Sequence, residues 1–214
     1  VRVLMSEGVA SRVLGWEAGE SFYDRTPAVF SADQLDNLKY DSFCGSNVSK
    51  YLIAEAAKEG KIIALIKPCD SYSLNQLCTE HRVDREKVYA LGVGCRGKID
   101  VEKLRAKGIK GMISAEEDGD MLRVQTLYGE KTVPRKEVLL EKCLCCKGKE
   151  HKAFDEVIAD PEPYTEPDRD RFSMVSKLEA MSPQERFAFW QGELSKCIRC
   201  NACRNVCPAC SCLN

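Results

Sequence analysis

The chain of 214 residues is predicted to be an α/β protein, in which a parallel or mixed sheet carries flanking helices. Two observations predict this class. Short apolar segments alternate with segments of helical periodicity between residues 46 and 113, as they do where crossover helices join parallel strands. In addition, residues 61–66 are almost continuously apolar, which is typical of a strand buried on both faces.

The elements of this layer are predicted in close succession. Ahead of it, residues 12–16 predict a short strand, residues 26–30 an extended segment, and Ser31 the cap of a short helix. The layer itself is predicted to contain a helix at 46–59 stopped by Gly60, a strand at 61–66, a helix capped by residues 70–73, a strand at 88–93, a helix at 101–107 and a strand at 109–113.

The following part of the chain is predicted to leave this layer. Residues 121–126 and 131–133 flank a turn and predict a hairpin, and residues 134–141 predict a short helix. Polar residues mixed with prolines then indicate a linker. We therefore divide the chain into an α/β domain at 1–150, a linker at 151–181 and the start of a small module at 182–214.

The last region opens with a strong helix-start signal. Ser182 is the predicted N-cap, Pro183 occupies the first turn, and Glu185 reaches back to the cap. Phe187 and Trp190 share one face of this helix, which we expect to pack against the cysteine-rich lobe of the protein.

Composition excludes several classes of function. The formal net charge is −1 and no basic stripe is present, so we expect no nucleic-acid partner. No apolar stretch approaches the roughly 18 residues that a membrane span needs, so no span is expected. The 13 cysteines do not suit a disulfide scaffold, because such scaffolds are mostly small secreted domains. Free thiols that bind metal indicate a reducing, cytoplasmic location.

Four cysteines near the end of the chain have the spacing of a cluster-binding motif. Cys197, Cys200, Cys203 and Cys207, with Pro208 after them, form the C-x2-C-x2-C-x3-C-P run of bacterial ferredoxins, which predicts a 4Fe-4S cluster. In two-cluster ferredoxins the fourth cysteine of this run binds the other cluster. We therefore interpret the chain as carrying the start of a ferredoxin-like module, with Cys210 or Cys212 as alternative fourth ligands.

A second set of cysteines lies inside the α/β region. Cys69 and Cys95 each follow a predicted strand, at the edge of the sheet where α/β proteins bind ligands. Cys143 and Cys146 are three residues apart, a spacing that lets both thiolates face one metal centre. These four thiolates match the number that a second cubane cluster needs, although a closed zinc site is an alternative. Cys44 is a reserve ligand.

Together with these cysteines, longer stretches resemble a known family. The stretches are residues 41–52, 67–73, 92–95 and 143–147, with the terminal cysteine run. They are similar to the beta subunits of coenzyme F(420)-reducing hydrogenase and formate dehydrogenase, in the branch of iron-sulfur proteins that includes bacterial members. The resemblance implies that Cys69 and Cys95 bind a cluster, and that a flavin, usually FAD, lies beside it.

The resemblance also implies a role in electron transfer. Such subunits pass electrons between a soluble carrier and the other subunits of an oxidoreductase. For this chain, the expected carrier is ferredoxin, a deazaflavin or a pyridine nucleotide. We expect the flavin phosphate to bind at two helix starts, through Ser46, Asn47, Ser49, Ser71 and Ser73. The alternative functions are a zinc-binding module that organises a complex and a stand-alone flavin enzyme.

Overall fold

The computed structural model describes residues 1–146, 150–158 and 170–210. The strands in these residues are β1 (Arg12–Ala18), β2 (Arg25–Phe30), β3 (Ile62–Ile66), β4 (Val88–Gly92), β5 (Met112–Asp118), β6 (Met121–Thr126), β7 (Gly129–Pro134) and β8 (Glu156–Val157). The α-helices are α1 (Arg2–Ser6), α2 (Leu52–Glu55), α3 (Pro68–Thr79), α4 (Val101–Ala106), α5 (Glu141–Leu144), α6 (Ser173–Glu179), α7 (Pro183–Ser195) and α8 (Ala202–Val206). Short 3-10 helices span Ala32–Asn37, Ser49–Tyr51, Arg85–Lys87 and Arg135–Glu137.

The main sheet is mixed, and its strand order is β2-β1-β3-β4-β8. The first pair, β1 and β2, is antiparallel, while β3 and β4 continue the sheet in parallel. All five residues of β3 are buried, because this strand has neighbours on both edges and covered faces. The predicted α/β class with a mixed sheet and flanking helices is therefore confirmed.

The core of this domain lies around the central strands. Trp16 and Leu14 from β1 are buried with the apolar residues of β3, and α3 covers the sheet with Leu74 and Leu77. The helix predicted at 46–59 is shorter than expected. Its start is a 3-10 turn, because the side-chain oxygen of Asn47 accepts the backbone amide of Ser49 and holds the chain in a tight local turn.

The strand predicted at 109–113 does not join the parallel layer, so this prediction is wrong. Strand β5 instead pairs antiparallel with β6, and β7 completes a separate three-stranded sheet. The β6–β7 pair confirms the predicted hairpin. Buried Leu122 and Val124 alternate with exposed residues on β6 and pack with Phe43, Ile99 and Leu104 in a second apolar core.

Two further expectations differ from the structure. The helix predicted at 134–141 is a 3-10 turn followed by the short helix α5. Strand β8, within the predicted linker, pairs in parallel with β4, and residues 159–169 of that linker lie outside the described residues. In the part of the chain that is described, no helix is long and apolar enough to cross a membrane.

The capping box at Ser182 and Glu185 is confirmed at the start of α7. The expected packing of this helix is wrong, however. Phe187 is 70% exposed and Trp190 is 48% exposed, so their shared face does not cover another part of the described chain.

Two leucines on helices of the protein give a matched test of this core. Leu74 is fully buried on α3, whereas Leu194 is 69% exposed on α7. We predict that Leu74→Ala lowers the free energy of unfolding by about 2–5 kcal/mol, because it leaves a cavity against β3. Leu194→Ala should change it by less than about 0.5 kcal/mol. Urea unfolding followed by circular dichroism measures both, and equal effects would contradict this account of the core.

Candidate iron-sulfur site

Cys69 lies at the start of α3, immediately after the central strand β3. The helix begins at Pro68, whose missing amide is not needed in the first turn, and the side chain of Asp70 accepts the backbone amide of Lys67 at 3.1 Å. The helix therefore starts two residues earlier than the predicted cap at 70–73. As a result, Cys69 is held in a rigid first helical turn at the carboxyl edge of the sheet.

Cys95 lies in the loop that follows the neighbouring strand β4. The loop leaves the strand at Val93, whose amide donates to the carbonyl of Ile66 at 2.9 Å. Further on, Gly97 has a φ of +89°, a left-handed conformation that favours glycine. A Cβ atom at this position would lie 3.3 Å from the Cβ of Cys143, so the loop and helix α5 approach closely here.

Cys143 and Cys146 come from α5 and the residues after it. The backbone amide of Lys98 donates to the sulfur of Cys143 at 3.3 Å, and the amide of Leu140 donates to the carbonyl of Lys98 at 2.9 Å. These two bonds attach α5 to the Cys95 loop. Amide donors on a cysteine sulfur are a feature of cluster ligands, since they stabilise the thiolate and adjust its redox potential.

The structure brings all four predicted interior ligands to one edge of the sheet. The pKa of Cys69 is raised to about 12, mainly by desolvation. Repulsion from the Asp70 carboxylate and, to a smaller extent, from Cys95 and Cys146 raises it further. Desolvation also raises the pKa of Cys95, on which the charge of Cys143 acts in the same direction. Cys69 and Cys95 are thus close enough to the other two cysteines to feel their charge, and binding of a cation here would favour the ionised forms of Cys69 and Cys95.

Four cysteine sulfurs are the ligand set of a 4Fe-4S cluster and also of a closed zinc site. Among the described residues, no three His, Cys, Asp or Glu side chains are grouped closely enough to hold a metal ion. A single zinc ion needs each sulfur about 2.3 Å from one point, whereas a cubane is larger and its ligands stand further apart. The four thiols come from three separate segments of the chain, and backbone amides donate to the sulfurs of Cys95 and Cys143, as they do to cluster ligands.

A cavity of about 350 Å³ adjoins Cys95. Its wall includes Tyr40, whose hydroxyl donates to the carbonyl of Gly94, and Cys44, a buried residue whose sulfur accepts the amide of Asp41 at 3.4 Å. Burial raises the pKa of Cys44 to about 11. The volume lies near the lower end of the range for small-molecule sites, so the cavity has room for a ring-sized group beside the cysteines.

The five residues predicted to bind a flavin phosphate lie together around the first turns of α3, and none of them lines this cavity. The side-chain amide of Asn47 (Nδ2) donates to the hydroxyl of Ser73 at 2.9 Å, and the hydroxyl of Ser49 donates to the backbone carbonyl of Asp70 at 2.6 Å. Ser46 contributes its carbonyl to Lys67, while the Ser71 hydroxyl donates to Pro68 and accepts the amide of Lys152. These contacts join residues 46–49 to α3, and a role in phosphate binding stays a prediction.

The terminal cysteines lie on an exposed segment between α7 and the residues after α8. Arg199 and Asn201 both have a φ of 59°, which turns the chain sharply between Cys197 and Cys203. The amide of Arg199 donates to the sulfur of Cys197 at 3.4 Å. The backbone amides of Ala209 and Cys210 hold the pKa of Cys207 below its ordinary value. The alternative ligand Cys212 lies outside the described residues.

No family model matches the chain, but curated relatives and a solved structure do. The F(420)-dependent formate dehydrogenase 1 subunit beta of Methanococcus maripaludis is 22% identical over an alignment of 273 positions, which covers 99% of this chain and 70% of the relative. The F(420)-dependent formate dehydrogenase subunit beta of Methanocaldococcus jannaschii is 20% identical over 269 residues, covering 99% of this chain and 71% of the relative.

A solved structure has the same fold. It is a chain from the xenon-derivatised F(420)-reducing NiFe hydrogenase complex of Methanosarcina barkeri, with a TM-score of 0.54 and 16% identity. The match covers 68% of this chain and 56% of that chain. The chain is thus similar in sequence to beta subunits of F(420)-dependent formate dehydrogenases, and its fold is similar to that of a chain from an F(420)-reducing hydrogenase complex. The resemblance inferred from the cysteine-bearing stretches is therefore confirmed.

Two residues of the chain make contacts that the sequence did not indicate. Arg135 is buried, donates to the hydroxyl of Ser42 at 2.9 Å and to the carbonyl of Arg96 at 3.2 Å, and forms an ion pair with Glu117 at 3.0 Å. His151 is half-buried, and its Nε2 atom lies 3.0 Å from the carbonyl oxygen of Ile66. A lone basic residue gives no signal of such contacts, because its partners are distant in sequence.

Arg135 should control the order of the Cys95 loop. We predict that Arg135→Met speeds hydrogen exchange of the amides at residues 96–99 by tenfold or more, because the carbonyl of Arg96 and the Ser42 hydroxyl lose their buried donor. The control is Arg123→Met, which removes an exposed ion pair with Asp118 on the same small sheet. Mass spectrometry of exchanged peptides measures both, and unchanged exchange in the Arg135 variant would show that this loop is held by other contacts.

Proposed function

We propose that the chain is an iron-sulfur, flavin-linked electron-transfer subunit of a multi-subunit oxidoreductase. The observation that carries this proposal is the convergence of Cys69, Cys95, Cys143 and Cys146 beside a cavity of about 350 Å³. Similarity to subunits of formate dehydrogenases and to a chain of a hydrogenase complex supports it.

Each group of residues has a separate role in this proposal. The interior cysteines bind one 4Fe-4S cluster, and Cys197, Cys200, Cys203 and Cys207 bind the terminal one. Clusters supply one-electron transfer, and a flavin, FAD in this proposal, links it to the two-electron chemistry of a soluble carrier. In this proposal the cavity beside Cys95 accepts the flavin ring. Ser46, Asn47, Ser49, Ser71 and Ser73 bind its phosphates.

The arrangement along the chain follows from these roles. Residues 1–150 form the flavin and iron-sulfur domain, residues 151–181 connect it, and residues 182–214 begin the ferredoxin-type module. The amine of Lys50 donates to the carbonyl of Arg204 at 2.8 Å, which supports an arrangement with the terminal cysteines near the α/β domain. Such proximity suits transfer of electrons between two clusters.

The carrier and the partners are proposed from the family. The relatives are named as F(420)-dependent enzymes, which favours a deazaflavin carrier, with ferredoxin and pyridine nucleotides as the alternatives. Other oxidoreductase subunits are the proposed protein partners. A zinc module that organises a complex is the competing function, and it predicts a colourless protein that contains zinc.

Cys69 and Cys78 lie on the same helix and provide a matched test. We predict that anaerobically purified protein is brown and contains iron, sulfide and flavin, and that Cys69→Ser loses about half of the iron because one of two clusters is no longer fully ligated. Cys78→Ser should retain all of it, since Cys78 lies two helical turns away from the proposed ligand. Elemental and sulfide analysis of the full-length proteins measures this.

Two results would count against the proposal. Zinc in place of iron in the unsubstituted protein would favour the organising module. An equal iron content in the Cys69→Ser and Cys78→Ser variants would show that Cys69 is not a ligand, and the interior cluster would not be bound as proposed.

A further inference from the structure

Lys67 is a buried lysine at the wall of the cavity beside Cys44 and Cys95. It is 4% exposed and directly follows the central strand β3, where it is the N-cap residue of α3. Removing an ammonium group from water costs several kcal/mol, so a buried lysine needs strong compensation. Its position at the site, and not at the surface, therefore needs a physical reason.

Three groups of the protein fix the ammonium in place. The carboxylate of Asp70 lies 3.0 Å from Nζ, the carbonyl of Ser46 accepts from it at 2.9 Å, and the centre of a Trp16 ring lies 4.0 Å away. The lysine and aspartate side chains are 5% and 0% exposed, respectively. The ammonium group therefore has a defined position, and salt screens a buried charge much less than a surface charge.

Both charges of the pair lie close to the proposed cluster ligands. Asp70 Oδ1 lies 3.9 Å from the sulfur of Cys69, and Lys67 lines the cavity together with Cys44 and Cys95. The positive charge of Lys67 favours the ionised forms of both Cys69 and Cys95, so it lies within electrostatic reach of both ligands.

We propose that Lys67 raises the reduction potential of the interior 4Fe-4S cluster, of which Cys69 and Cys95 are proposed ligands. This inference rests on the proposed function. On reduction, the bound cluster gains one electron from an external donor and becomes more negative by one charge, with no bond formed or broken. A fixed cation stabilises the more negative state, and the buried charge of Lys67 is screened by salt less than a surface charge is.

Four variants of the full-length protein test this inference. Lys67→Met removes the cation, and Lys58→Met is the control, because it removes the same charge from an exposed lysine paired with Glu55. Asp70→Asn and the double variant Lys67→Met with Asp70→Asn form a second pair, which differs only in Lys67. The second pair is needed because Lys67→Met alone leaves a buried carboxylate without its partner and is at risk of not folding.

The measurement is an anaerobic redox titration, with dithionite and mediators, followed by electron paramagnetic resonance. We expect Lys67→Met to reduce the ratio of reduced to oxidised interior cluster at least tenfold at fixed potential, which corresponds to about 59 mV for one electron. The interior cluster of the double variant should likewise have a lower reduction potential than that of Asp70→Asn. The terminal cluster is the internal reference, and Lys58→Met should leave the interior potential unchanged.

Other outcomes overturn the inference in distinguishable ways. If Lys67→Met and Lys58→Met have the same interior potential, Lys67 does not set it. If Lys67→Met does not fold, equal potentials in the double variant and Asp70→Asn lead to the same conclusion. An interior site without iron in the unsubstituted protein overturns the proposed function itself, and this inference with it.

Discussion

The ion pair between Lys67 and Asp70 is the interaction on which the geometry of the site depends. It lies at the point where the central strand β3 becomes helix α3, and both side chains are almost completely buried. The same carboxylate caps the helix by accepting the amide of Lys67. Because the pair connects this turn to Ser46 and Trp16, it fixes Cys69 relative to the rest of the domain. A buried pair with well-satisfied partners is a source of defined geometry more than of net stability.

The small antiparallel sheet supports the other side of the site. Arg135 follows its last strand and reaches the Cys95 loop through the carbonyl of Arg96, and Glu117 from β5 completes the contact. Helix α5 joins the same loop through Lys98. The sheet is therefore more than an appendage of the parallel layer, because it positions the loop that carries Cys95, and α5 is attached to that loop.

Much of the fold was predictable because it depends on local patterns. The apolar run of β3 and the alternation around it predict a parallel layer, and strand ends in such a layer predict where Cys69 and Cys95 meet. The capping box of α7 is equally local. Contacts between distant segments were not predictable, since nothing near Arg135 in the sequence indicates Ser42 or Arg96. The placement of β5 depended on pairing with β6, which outweighed its position in the alternating pattern.

The central claim is that the interior cysteines bind a cluster independently of the terminal run. The most direct measurement is Mössbauer spectroscopy of iron-57-labelled protein in which Cys197, Cys200, Cys203 and Cys207 are all replaced by serine. The account predicts that one 4Fe-4S cluster per chain remains, bound at the carboxyl edge of the sheet. Complete loss of cluster iron from this variant, with the α/β domain still folded, would contradict it.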